Sequence, residues 1–245
     1  MTRYKLTIEY DGTGLAGWQR QKDAITVQEL LEDAIFNLSQ ERVEVFASGR
    51  TDAGVHALAQ IAHVDIDKDI KPYSIMQGIN FYLQGKSVVI TNIEIADAEF
   101  HARFDAKKRY YQYKIINRRA PLAIQKNRAW NIHTELDIEL MKKGAEYLIG
   151  DHDFTSFRAA ACQAKNAMRS IDKIEIIQNN DLILINVEAK SFLHHMVRNI
   201  VGTLKMVGSK EWEPEKVKEI LDAKDRKVAG PTAPACGLYF VKVDY

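Results

Sequence analysis

The stretch YKLTIEY, Tyr4–Tyr10, sets Leu6, Ile8 and Tyr10 at every second position against polar neighbours, the period of a strand with one buried face. The elements that succeed it along the chain decide the fold. A glycine-punctuated loop, DGTGLAGWQRQ (11–21), leads to Thr26 and Glu29, the capping box of a helix over VQELLEDAIFNL (27–38). Val27, Leu30, Leu31, Ala34, Ile35 and Leu38 share one face of that helix. Two strands, VEVFASG (43–49) and AQIAHVDI (59–66), come next, then a helix entered at Pro72, YSIMQGINFYL (73–83), and a strand, SVVITNIEIA (87–96). The order is β-α-β-β-α-β.

A similar order recurs from residue 101. YYQYKIIN (110–117) reads as a strand, and Asp137 caps a helix over IELMKKGAEYLIG (138–150). The strands IDKIEIIQ (171–178) and LILINVEA (182–189) are joined across Asn179, Asn180 and Asp181. A long helix, FLHHMVRNIVGTLKMV (192–207), a helix after Pro214, EKVKEILDA (215–223), and a closing strand, GLYFVKVDY (237–245), complete the chain. The expected class is α+β, with two ferredoxin-like lobes, residues 1–100 and 101–245, each an antiparallel sheet with helices on one face and a cleft between them for a ligand.

The 245 residues, 46% apolar, suffice for a sizeable core. No apolar run reaches 18 residues and the first residues carry recurring charges, so neither a membrane span nor a signal peptide is expected, and the location expected is cytoplasmic. Cys162 and Cys236 form no CxxC pattern, and neither a disulfide nor a metal site is expected. The net charge of +1 argues neither for nor against a polyanionic partner, but its distribution is uneven. His101–Trp130 holds nine Lys or Arg against one Asp, with tyrosines interleaved, and Lys190–Lys210 holds four bases and no acid. Cations for phosphates beside flat rings for unstacked bases suit nucleic acid, although a solvated basic face has the same composition.

Between the strands at 43–49 and 59–66 lies ASGRTDAGVHALAQ (47–60). Aspartate before a small residue and glycine ordinarily closes a turn. Here Arg50, Thr51, Gly54 and His56 crowd the same connection, more chemistry than a hairpin requires. On a helix drawn from Phe192, the apolar residues fill one half and Arg198, His195, Gly202 and Lys205 the other, so Arg198 is expected to face away from the core. Gly202, one turn on, implies that something approaches that face closely. His194 and His195 would point about 100° apart, a poor arrangement for one metal. Tyr111 and Tyr113 fall on one face of their strand and Tyr110 on the other.

Together, YDGTGLAGWQRQ, ASGRTDAGVHA, FHARFDAKKRYYQY, HDFTSF, FLHHMVRNIVGTL and TAPACGLYF resemble, in order from residue 10 to residue 240, the signature blocks of the tRNA pseudouridine synthase A family. The resemblance implies RNA-recognition-like lobes and conversion of uridine to pseudouridine at positions 38, 39 and 40 of the tRNA anticodon stem-loop, by a homodimer without cofactor. By position, Asp52 matches the family's essential aspartate and Arg50 the arginine two before it. Tyr111 matches the active-site tyrosine beside the target base, and Arg198 the arginine that pairs with the aspartate.

The implied chemistry breaks the N1–C1′ bond of a uridine, turns the uracil and joins C5 to C1′. A carboxylate can attack the sugar, deprotonate it or add to C6 of the ring, and the residue types do not choose among these. One carboxylate suffices, because the departing base is recaptured and no water need be activated. A guanidinium at Arg198 would keep Asp52 ionised and oriented. Two rival readings need less: a non-catalytic RNA-binding protein needs no Asp52–Arg198 pair, and a nucleoside hydrolase would release free uracil.

Overall fold

The computed structural model describes residues 1–68, 70–160 and 162–245. Its elements are β1 (Thr2–Tyr10), α1 (Val27–Ser39), β2 (Phe46–Ala47), β3 (His56–Ile66), α2 (Pro72–Tyr82), β4 (Val88–Ile95), β5 (Lys108–Asn117), β6 (Trp130–Ile132), α3 (Ile138–Glu146), β7 (Gly150–Asp153), β8 (Met168–Asn179), β9 (Leu182–Ala189), α4 (Met196–Gly208), α5 (Lys216–Ala223) and β10 (Leu238–Asp244). The class is α+β, with sheets that are mostly antiparallel. The chain divides into two compact units: Met1–Lys107 with Tyr239–Tyr245, and Lys108–Leu238. The closing strand, expected with residues 101–245, thus belongs largely to the first unit.

In the first unit the strands run β4-β1-β3, antiparallel throughout. The far edge of β3 is shared: β2 pairs with it at Ala62 and His63, and β10 runs parallel to it at His56 and Ala57. The order β4-β1-β3-β2 is that of a split β-α-β, as the element sequence predicts. Tyr4, Leu6, Ile8 and Tyr10 of β1 are buried, and so are Val27, Leu31, Ala34 and Ile35 of α1 with Ile75 and Ile79 of α2. Each of the valine, leucine and isoleucine side chains among them contributes about 1.5–3 kcal/mol by leaving water. Thr26 caps α1, its hydroxyl accepting from the Glu29 amide at 3.3 Å. Glu29 itself turns to Arg20, 3.4 Å away. Strand β2 is only two residues long where VEVFASG predicts seven.

In the second unit the order is β5-β9-β8-β7, antiparallel where paired in the order β5-β9, β9-β8 and β8-β7, with β6 parallel beside β5. Ile183, Ile185, Val187 and Ala189 of β9 are buried, with Met141 of α3 and Ile200, Leu204 and Val207 of α4. Lys108, Gln112 and Lys114 take the other face of β5, where Gln112 bonds Asn186 and Lys108 pairs with Asp172. Asp137 caps α3, accepting from the Leu140 amide at 3.2 Å. The β8–β9 turn passes through Asn180 at φ 55°, the left-handed region asparagine tolerates.

Candidate active site

The loop that carries Asp52 is built by two stretches of the first unit locking backbone to backbone. The Trp18 amide donates to the Thr51 carbonyl at 3.0 Å, and the Gly54 amide donates to the Leu15 carbonyl at 3.2 Å. Gly17, at φ +93°, lies so near that a Cβ there would sit 2.5 Å from the Thr51 oxygen, and one on Gly12 would sit 2.1 Å from the Val55 oxygen. Gly12 and Gly17 are therefore the condition for seating this loop. The turn itself closes with the Val55 amide on the Asp52 carbonyl, 3.2 Å, and Gly54 takes φ +77°. Asp52 is half-buried and Arg50 exposed.

His56, 2% exposed, takes the Gly12 amide on Nδ1 at 3.0 Å, and Asp11 Oδ1 lies 3.1 Å from the same nitrogen. Because the amide points its hydrogen at Nδ1, that nitrogen acts as an acceptor here and the pair with Asp11 is a secondary contact. The imidazole stacks on Tyr239 of β10 at 4.6 Å. His101 likewise accepts from the Arg103 amide at 3.1 Å, and His152 Nε2 lies 2.9 Å from the Ile149 carbonyl oxygen. These histidines serve the backbone, as expected for histidines in turns.

In the second unit, Tyr111 lies on the face of β5 shared with Arg109, Tyr113 and Ile115. Its ring meets Phe192 at 5.0 Å and 84°, which fixes its orientation. Tyr113, fully buried, donates its hydroxyl to the Pro234 carbonyl at 2.7 Å. Burial, and next the neighbouring Cys236, push that phenol far up, with Arg198 acting in the opposite sense. Tyr113 is structural.

Arg198 corrects the helix drawn from Phe192. The helix starts at Met196, because His195 takes φ +62°, so residues 192–195 lie outside its periodicity. His194 and His195 precede it with their rings 4.1 Å apart, and the 100° separation does not apply. Arg198 is half-buried: its Nε donates to the Ala233 carbonyl at 2.8 Å, and the Ala233 amide donates to the Arg198 carbonyl at 3.1 Å. The group approaching Gly202 belongs to the chain itself, since a Cβ there would lie 1.7 Å from the Pro231 oxygen.

The basic stretch separates into two kinds of residue. Arg109, 9% exposed, donates to the Lys190 carbonyl, and Lys108 lies 3.0 Å from Asp172. Burial lowers Lys114. Arg118, Arg119, Lys126 and Arg128 are exposed on the loop between β5 and β6. That loop is tied down by Asn131 Nδ2 on the Arg118 carbonyl, 3.0 Å, His133 Nδ1 against the Arg119 carbonyl, 2.9 Å, and Arg118 against Asp181, 2.9 Å.

Sequence reasoning singled out Thr51 but passed over the polar roles of Tyr10, Ser48 and Gln60, which bond with it and with one another under the Asp52 loop. Tyr10 reads as one more apolar strand residue, and only Gln60, amid the apolar run of β3, carried a signal.

A family model described as tRNA pseudouridine synthase matches residues 6–105 and 145–245. A tRNA pseudouridine synthase A from Ehrlichia chaffeensis (strain ATCC CRL-10679 / Arkansas) is 53% identical over 244 residues, 99% of this chain and 100% of that protein. One from Ehrlichia canis (strain Jake) is also 53% identical over 244 residues, with the same coverage. With both halves matched and relatives aligned from end to end, the chain belongs to the tRNA pseudouridine synthase family and is an isomerase that converts uridine of tRNA to pseudouridine.

Proposed function

We propose that Asp52 is the carboxylate through which this isomerase acts, on uridines 38, 39 and 40 of the anticodon stem-loop. The observation that carries the reading is the seating of the Asp52 loop. Two glycines forbidden a side chain and a buried histidine are committed to holding one half-buried carboxylate beside an exposed arginine. A turn needs none of that apparatus.

In the proposed reaction the N1–C1′ bond breaks, uracil turns in place, and C5 bonds to C1′. The proton on C5 is lost and N1 gains one, so nothing is consumed. Asp52 meets the electron-poor sugar or ring, whichever of the three routes operates. Tyr111, its ring held by Phe192, stacks on the extracted base, and its hydroxyl is the partner for the C5 proton. Arg50 holds the RNA backbone or fills the emptied place in the stem. Arg198 is the guanidinium that partners the carboxylate; its own bond to Ala233 fixes its plane, and lysine would lack that fork. The active form is a homodimer in the cytoplasm.

The test is a tRNA transcript tritiated at C5 of uridine. Tritium should pass to water with the chain intact, and Asp52→Asn should abolish release while still binding tRNA. Full release by Asp52→Asn would end the assignment. For Tyr111→Phe, lost turnover with retained binding supports proton transfer by the hydroxyl, and unchanged turnover removes that role.

A further inference from the structure

Beneath the Asp52 loop runs a chain of buried polar side chains that no strand junction requires. The Tyr10 hydroxyl lies 2.8 Å from Thr51 Oγ1 and also bonds Gln60. The Ser48 hydroxyl donates to Gln60 Oε1 at 2.6 Å, and Gln60 Nε2 donates to the Gly49 carbonyl at 2.7 Å. Relative exposures are 3% for Tyr10, 1% for Ser48, 0% for Gln60 and 8% for Thr51. Burial pushes the Tyr10 phenol up to about 12, so it remains a neutral hydroxyl at any working pH.

An apolar quartet of similar shape would spare the chain the desolvation of four polar groups. What the polar quartet adds is direction: three of its bonds end on Ser48, Gly49 and Thr51, just before Asp52, and the Tyr10–Gln60 bond ties their anchors together. Gly49 is held through its carbonyl by Gln60, Ser48 through its hydroxyl by the same amide, and Thr51 through its hydroxyl by Tyr10. The Thr51 carbonyl is held separately by the Trp18 amide. Ser48, Gly49 and Thr51 are thereby fixed, and Arg50 alone among residues 48–51 is left exposed.

We propose that Tyr10, Thr51 and Gln60 are positioning residues for Asp52: their hydrogen bonds set the peptide planes of residues 48–51, so that the carboxylate meets uridine in one orientation. The proposal rests on the assignment of Asp52. A group misplaced by about 1 Å costs roughly a hundredfold in rate, without any loss of the contacts that bind substrate.

Thr51→Val keeps the volume and removes the hydroxyl, whereas Thr51→Ser keeps the hydroxyl. Single-turnover tritium release at saturating tRNA should fall roughly tenfold to a hundredfold in Thr51→Val. Thr51→Ser should remain within about threefold of the parent, and the tRNA Kd of both within about twofold. Tyr10→Phe should behave as Thr51→Val and serves if the valine variant does not fold. A parental rate in folded Thr51→Val and Tyr10→Phe would overturn the proposal. So would loss of tRNA affinity in step with the rate, since that marks a binding defect. Asp52→Asn, run alongside, separates the two claims: if it keeps full activity, the assignment of Asp52 fails, whatever the network does.

Discussion

At the scale of single residues, two positions make predictions that owe nothing to catalysis. A methyl group on Gly202 meets the Pro231 carbonyl at 1.7 Å, so Gly202→Ala must expel the segment that Arg198 and Ala233 bind together. Alanine gains about 1 kcal/mol in helix propensity over glycine. The clash costs more, and urea unfolding should show a net loss of about 2 kcal/mol. His63, 3% exposed, accepts the Ala102 amide on Nδ1 at 3.2 Å and stacks on Phe46 at 5.1 Å. Burial first, then His101 and Arg3, lower it to about 4, with Asp65 and Asp105 opposing. The unfolded chain therefore binds more protons between about 6.5 and 4. Stability from this group is complete above about pH 6.5 and is lost as pH falls through 4, on the order of 3 kcal/mol in all. Unfolding midpoints from pH 7.5 to 4 should show that slope, and His63→Gln should flatten it. Of the candidate site, the crowding of Arg50, Thr51, Gly54 and His56 around Asp52 was legible, because a plain turn needs only its turn residues. The start of α4 was not, because the apolar spacing runs on through Leu193 and nothing in a histidine announces φ +62°.

At the scale of elements, the loop between β5 and β6 divides the basic stretch into structure and surface. Arg119, Lys126 and Arg128 are exposed on a backbone already fixed by Asn131 and His133, so ordering it on RNA costs little. Each cation bound to phosphate contributes about 0.7–0.9 to the slope of log affinity against log salt. Replacing all three by glutamine should reduce that slope for tRNA by about two and leave single-turnover rate at saturation unchanged; an unaltered slope rejects the loop as a phosphate contact. Arg109→Gln should instead lower the melting temperature, since it removes a buried donor from the Lys190 carbonyl, worth about 1–3 kcal/mol. The helices with side-chain caps, α1 and α3, were legible from Thr26 and Asp137, because a cap is a local event. Strands β2, β6 and β7, of two, three and four residues, were overextended or missed, because their pairing comes from partners distant in sequence.

At the scale of the whole molecule, the chain order departs from the two lobes that element order suggests. Residues 239–245 close the first unit: Tyr239 covers His56, Phe240 is fully buried, Lys107 donates its amide to the Asp244 carbonyl at 2.8 Å, and the Tyr245 hydroxyl reaches the Ala102 carbonyl at 2.7 Å. Element order places a strand but not the unit it completes, which is why 101–245 read as one lobe. Removing residues 239–245 should destabilise the first unit, although the deletion is remote from it in sequence. Hydrogen exchange should show lost protection at His56 and Ala57 in β3, and protection equal to that of the parent chain would contradict this. The proposed homodimer is checked by light scattering, where a monomer at working concentration would refute it.

The parallel register of β10 on β3 also orders events in time. During synthesis the Asp52 loop and His56 leave the ribosome early, but Tyr239, which stacks on His56, is translated only after all of the second unit. A nascent chain therefore holds the Asp52 loop on an unfinished support until Tyr239 arrives, and the proposed site is set only then.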